Sequence, residues 1–202
     1  RMRVPPAGIA TPASFAPRVR PDGAWELIEN GKVASVLSPG SGSFVPARFP
    51  LAGVTLEALE AWEPPRITTE ELEFLLATAR RLHESTDKAL FGWFNGSIFE
   101  QSQLLCGWDE FLVRLYTDPP FADRLLEKLT AAVIADLRLY LEATGPYLQV
   151  VGFGDDFGFQ SGLQVAPEIF RERIKPHLER IYAEAHSLTP AKVFLHSCGA
   201  VG

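Results

Sequence analysis

His196-Ser197-Cys198-Gly199 sets an imidazole and a thiol two residues apart, directly after the apolar run KVFLH. If that run is a strand, side chains at i and i+2 leave the same face. Their Cα atoms then lie roughly 6.5–7 Å apart. Zinc closes such a gap with bonds of about 2.0 Å to nitrogen and 2.3 Å to sulfur. Gly199 lets the backbone turn away at once. On spacing alone the pair also reads as a strand-end histidine beside an inert buried cysteine. Two ligands do not complete a site, because zinc takes three or four.

A second chemical segment is Gly154-Asp155-Asp156-Phe157-Gly158, which follows the apolar stretch YLQVVGF. Adjacent carboxylates after a buried strand bind a cation, orient a ligand or act as acid and base. Asp serves equally in turns and helix caps. Both segments sit at the C-terminal end of a predicted parallel strand, and the strands are consecutive. In barrels and open α/β sheets alike, ligands bind at that end. Asp155, Asp156, His196 and Cys198 are therefore expected to share one mouth. Trp93, Phe94 and Asn95 follow an earlier strand and line either the mouth or the core. His83, His177 and His186 fall on predicted helices as surface or satisfied residues. Cys106 ends a helical segment and reads as packing.

The elements that position these groups alternate. Residues 1–24 are proline-rich and read as an irregular arm. Asn30-Gly31 between apolar runs predicts a β-hairpin, and 39–43 a loop. A short helix is expected over 55–62. Thr68 with Glu71 forms a capping box before the helical pattern Leu72, Leu75, Leu76, Ala79, Leu82. Residues 88–94 read as a strand, then 98–105 and 108–117 as helices. After Asp118-Pro119-Pro120 a long helix runs to about 143, with Leu125, Leu129, Val133, Leu137 and Leu141 on its inner face. Gly145-Pro146 ends it, and 147–153 is a strand. Pro167 starts the next helix, whose buried stripe is Phe170, Ile174, Leu178, Ile181 and Ala185. Pro176 should kink that helix. Thr189-Pro190 ends it before the strand 192–196. The last two strands are apolar almost throughout, as parallel strands covered on both faces are. The order gives an α/β fold with right-handed crossovers. The whole of 1–202 reads as one domain, with 1–50 as an arm and hairpin leading into it.

The net charge of −6 argues against a nucleic-acid partner, which needs a basic face. It gives no attraction to an anionic membrane either. No apolar run approaches the roughly 20 residues of a membrane span. The prolines near the N-terminus break up any signal-peptide core. Only Cys106 and Cys198 occur, so a disulfide framework is not expected and a reducing cytoplasm is the simplest location. The chain starts with Arg and stops just after HSCG, so it reads as an excerpt of a longer protein.

The stretch GDDFGFQSGLQVAPEIFRERIKPHLERIYAEAH followed by KVFLHSCG resembles the uroporphyrinogen decarboxylase superfamily. The resembling features are the acidic strand-end loop, the helix start at Ala166-Pro167 and the Phe-x-x-x-Ile-x-Pro kink. Weaker similarity runs back through LLCGWDEFLVRLYTDPPFADRLLEKLT to about residue 50. The resemblance implies a (β/α)₈ barrel, present here as an incomplete excerpt. One branch of that superfamily decarboxylates uroporphyrinogen without a metal. The other transfers methyl groups to or from a corrinoid protein, using zinc held by a His-x-Cys pair and a later cysteine.

Departures from the decarboxylase pattern favour the methyltransferase branch. Where a D-S-W-A-G-like loop is usual, this chain has Asp156-Phe157-Gly158. Where G-F-x-G-x-P-x-T is usual, it reads Gly92-Trp93-Phe94-Asn95-Gly96-Ser97-Ile98. His196 and Cys198 match the zinc pair, and the third ligand would lie beyond Gly202. Asp155 and Asp156 match an acidic position facing substrate and are the expected catalytic residues. Asn95 and Gln160 are assigned to substrate binding. The implied partners are zinc, a small-molecule methyl donor or acceptor, and a corrinoid protein. The alternatives are a porphyrinogen decarboxylase and a non-catalytic barrel fragment.

Overall fold

A computed structural model describes residues 11–41 and 43–201. The chain divides into two compact units, Arg1–Pro50 and Leu51–Gly202.

In the first unit, strands β1 (Arg18–Val19), β2 (Trp25–Glu29), β3 (Lys32–Leu37) and β4 (Val45–Pro46) form one antiparallel sheet in chain order. Asn30 and Gly31 join β2 to β3 with φ of 49° and 73°. Two successive positive φ values are what a type I′ hairpin turn demands, and Asn-Gly adopts them with little strain. Part of the expected irregular arm, residues 1–10, lies outside the described residues. The rest is not wholly irregular, because Arg18 and Val19 pair with β2. Arg18 Nε donates to Glu26 Oε2 at 2.8 Å, which ties this segment to the hairpin.

The second unit begins with α1 (Leu56–Ala61), capped by the Thr55 hydroxyl, and α2 (Thr69–Ser85). Thr68 Oγ1 accepts from the Glu71 N–H, and Glu71 Oε2 accepts from the Thr68 N–H. The predicted capping box is therefore formed. Thr68→Ala removes half of it and is expected to cost about 1 kcal/mol in urea unfolding, with Thr68→Ser near wild type.

Next come β5 (Phe91–Asn95), α3 (Phe99–Cys106), α4 (Trp108–Thr117) and α5 (Pro119–Thr144). Gly107, at φ 110°, makes the break between α3 and α4. On α5, Leu125, Leu129, Leu137 and Leu141 are buried as the four-residue spacing predicts. Gly145–Tyr147 forms a 3₁₀ turn, so β6 (Val150–Gly154) starts later than the apolar run does. After a loop come α6 (Pro167–Ile169), a π turn over Phe170–Ile174, α7 (Lys175–Leu188) and β7 (Lys192–His196). Pro176 has no N–H to offer the Glu172 carbonyl. The bend expected at Pro176 is taken up as the wider turn just before it. Ile174, Leu178, Ile181 and Ala185 are buried.

Strands β5, β6 and β7 form a parallel sheet in that order. This is the expected α/β class, but no closed barrel exists among the described residues. Val151 and Phe153 of β6 enter a core shared with α3, α5 and α7. The opposite face carries Phe91, Trp93 and Phe194, each close to half exposed. Burial on both faces holds for β6 and fails for β7, where Phe194 is 46% and Leu195 42% exposed. β7 is an edge strand with a single paired neighbour among the described residues, so its apolar sequence is not matched by cover. No helix of the described residues is long and apolar enough to cross a membrane.

Candidate metal centre

The Val150–Lys192 to Gly154–His196 register aligns the C-terminal ends of β6 and β7. The Asp155 N–H continues the ladder by donating to the His196 carbonyl at 3.0 Å. The chains leaving the two strands are then stitched together. The Cys198 N–H donates to Asp156 Oδ1 at 2.8 Å. The Phe157 N–H donates to Ser197 Oγ at 3.0 Å, and the Ala200 N–H to the Phe159 carbonyl at 2.8 Å.

Two glycines permit this close approach. Gly199 has φ 88°, and a Cβ there would lie 2.3 Å from the carbonyl carbon of Gly158. A Cβ on Gly158 would lie 2.9 Å from the Ala200 nitrogen. Gly199→Ala thus combines a left-handed backbone with a backbone clash. It is expected to destabilise this unit by about 2–4 kcal/mol, read by urea unfolding.

His196 ends β7, Cys198 follows in the turn after it, and the two side chains converge. His196 Nε2 lies 3.1 Å from Cys198 Sγ. Two such donors on one tetrahedral zinc would be about 3.5 Å apart, given its usual bond lengths. The pair fits a zinc ion with a small adjustment. Asp156 Oδ1 lies 3.8 Å from His196 Nε2. One donor atom from each of Asp156, His196 and Cys198 falls within 4.8 Å of the others. Trp93 stands beside His196, with ring centroids 6.4 Å apart.

Asp155 does not join them. It is 2% exposed and turns to the other side of the sheet end. Oδ2 accepts from the N–H groups of Ile98 and Phe99, and Oδ1 from that of Glu100. α3 has no side-chain cap of its own at Ile98, and Asp155 supplies one from β6. Burial pushes the Asp155 carboxyl up to about 7, against the three N–H donors that favour its charge. The expected mouth therefore gathers Asp156, His196 and Cys198, and places Asp155 beneath it.

Asn95 ends β5 with φ 72°, unusual for a residue with a side chain. It lines a cavity of about 400 Å³ with Trp93, Ser97, Gln101, Arg66 and Asp136. Trp93 borders both that cavity and His196. Gln160 is exposed at the tip of the loop after β6. The glutamine that reaches the cluster is Gln164, whose Nε2 donates to the Asp156 carbonyl at 2.9 Å. Gln103 Nε2 donates in turn to Gln164 Oε1 at 2.6 Å.

Burial pushes the Cys106 thiol up to about 12, which keeps it protonated and inert. His177 Nδ1 lies 3.0 Å from Thr130 Oγ1, and burial lowers its pKa. His83 is exposed and packs its ring against Tyr147.

Residues 40–202 match the family model described as Uroporphyrinogen decarboxylase (URO-D). Two proteins named uroporphyrinogen decarboxylase, from two strains of Thermus thermophilus, are 32% and 31% identical to this chain over 135 residues. Each match covers 64% of this chain and 36% of the relative. The chain thus spans about a third of the length of the curated relatives it matches. A solved structure described as a methyltransferase from Methanosarcina mazei is similar at a TM-score of 0.56 and 18% identity. That likeness covers 79% of this chain and 45% of the other, and it is a likeness of fold.

Proposed function

This chain belongs to the uroporphyrinogen decarboxylase family, and from that premise we propose that the whole protein is a zinc-dependent methyltransferase working with a corrinoid protein. The observation that carries this reading is the 3.1 Å approach of His196 Nε2 to Cys198 Sγ at the end of β7. A metal-free decarboxylation does not require a nitrogen–sulfur pair held this way. The methyltransferase among the similar folds supports the same branch.

Zinc, when bound, supplies the Lewis acidity that keeps a thiol ionised at neutral pH. His196 and Cys198 would hold it, the imidazole neutral and the thiol as thiolate. Asp156 accepts the Cys198 N–H and fixes the turn that carries the thiol. The Trp93 ring stands edge-on to the imidazole. The small methyl donor or acceptor takes the cavity beside Trp93, where Asn95 and Gln101 offer amide groups. The exposed side of His196 and Cys198 would face the corrinoid protein. This reading needs neither nucleic acid nor membrane, and it suits a reducing cytoplasm.

A second reading is decarboxylation of a porphyrinogen, favoured by the names of the two Thermus thermophilus relatives. Assays of methyl transfer and of uroporphyrinogen turnover, each with and without a chelator, separate the two. The expected result is methyl transfer that the chelator abolishes and added zinc restores. Uroporphyrinogen turnover that persists in the chelator would replace the first reading with the second.

A further inference from the structure

We propose that Asp156 is a metal ligand, so that this chain alone supplies nitrogen, sulfur and oxygen donors to one divalent ion. The proposal rests on the zinc reading of His196 and Cys198 and adds a residue to it.

Three observations carry it. The first is distance. Tetrahedral zinc sets its nitrogen and sulfur donors about 3.5 Å apart, and its nitrogen and oxygen donors about 3.4 Å apart. The separations here are 3.1 Å for His196 Nε2 to Cys198 Sγ and 3.8 Å for His196 Nε2 to Asp156 Oδ1. All three donor atoms lie within 4.8 Å of one another. The second is register. Gly154 pairs with His196, so Asp156 and Cys198, each two residues beyond a strand end, meet where the Cys198 N–H donates to Asp156 Oδ1.

The third is support from behind. The Asp156 carbonyl accepts from Gln164 Nε2, and Gln164 Oε1 accepts from Gln103 Nε2. Gln103 is 1% exposed, which anchors this chain of amides in α3. The next residue, Phe157, donates its N–H to Ser197 Oγ of the facing segment. Asp156 is thus held on both sides before any ion arrives, the preorganisation that metal sites need. A nitrogen, sulfur and oxygen set suits zinc and discriminates against magnesium and calcium. His196 and Cys198 are exposed, so a further coordination position opens towards solvent.

The alternative is that Asp156 only holds the Cys198 N–H. Loss of metal affinity in a variant does not separate the two, because a supporting hydrogen bond alone is worth about 10–100-fold. The test is a crystal structure of the whole protein loaded with zinc, with the ion located by anomalous scattering. An Asp156 carboxylate oxygen about 2.0–2.2 Å from zinc supports the proposal. Zinc on His196 and Cys198, with Asp156 left beyond bonding distance on the Cys198 N–H, overturns it and leaves the zinc reading standing. Zinc absent from His196 and Cys198 overturns both. Cobalt-loaded Asp156→Asn gives an independent check, since Asn keeps a carbonyl for the Cys198 N–H. A changed ligand-field spectrum supports ligation, and a spectrum identical to wild type contradicts it.

Discussion

Asp155→Ala is expected to destabilise the Leu51–Gly202 unit by about 3–5 kcal/mol, measured by urea unfolding. The carboxylate is 2% exposed and accepts three backbone N–H groups, those of Ile98, Phe99 and Glu100. These are among the amides that a helix leaves without partners at its N-terminus. Truncation strands all three where water has little access, and an unsatisfied buried donor costs about 1–3 kcal/mol. α3 then loses its hold on β6, with buried Phe99, Leu105 and Cys106 at stake. Asp155→Asn keeps one carbonyl acceptor and turns an NH₂ towards an N–H donor, so it should recover less than half of the loss. If Asp155→Ala unfolds at wild-type urea concentrations, the capping role is wrong.

The sequence grouped the two acids because they are adjacent, but they part where the chain leaves β6. Asp155 turns to the α3 amides and Asp156 to the Cys198 N–H, contacts between residues 42 to 57 apart that carry no local signal. Features that depend on near neighbours were legible. The Thr68–Glu71 capping box, the Asn30-Gly31 turn and the paired His196 and Cys198 each lie within four residues of chain. The Gln103–Gln164 contact, between residues 61 apart, had no local signal. Gln160 and Gln164 sit in the same loop, and only packing decides which of them turns inward. The apolar sequence of β7 promised burial, yet cover depends on what lies beside a strand rather than on its own composition. The bend at Pro176 was foreseen, but its form as a π turn depends on how the following helix packs.

Cys198→Ala and His196→Ala are expected to leave stability within about 0.5 kcal/mol of wild type, because both side chains are exposed. Methyl transfer should nevertheless fall by at least about 1000-fold, since a metal's electrostatic stabilisation of a transition state is worth several kcal/mol. Separating stability from activity in this way is the mark of a site rather than of a packing position. Asp155→Ala should show the opposite pattern, with activity lost in step with folding. If Cys198→Ala loses several kcal/mol of stability, the thiol is a core element and the pair is not a site. Rate and urea midpoint, measured on the same preparations, give both results.

The proposed function depends on zinc held by His196 and Cys198. Its most direct test is the metal content of the purified whole protein and of the His196→Ala, Cys198→Ala double variant, each dialysed against metal-free buffer. About one zinc per wild-type chain and almost none in the variant is expected. Equal zinc in the two proteins, or none in the wild type after zinc loading, would contradict it.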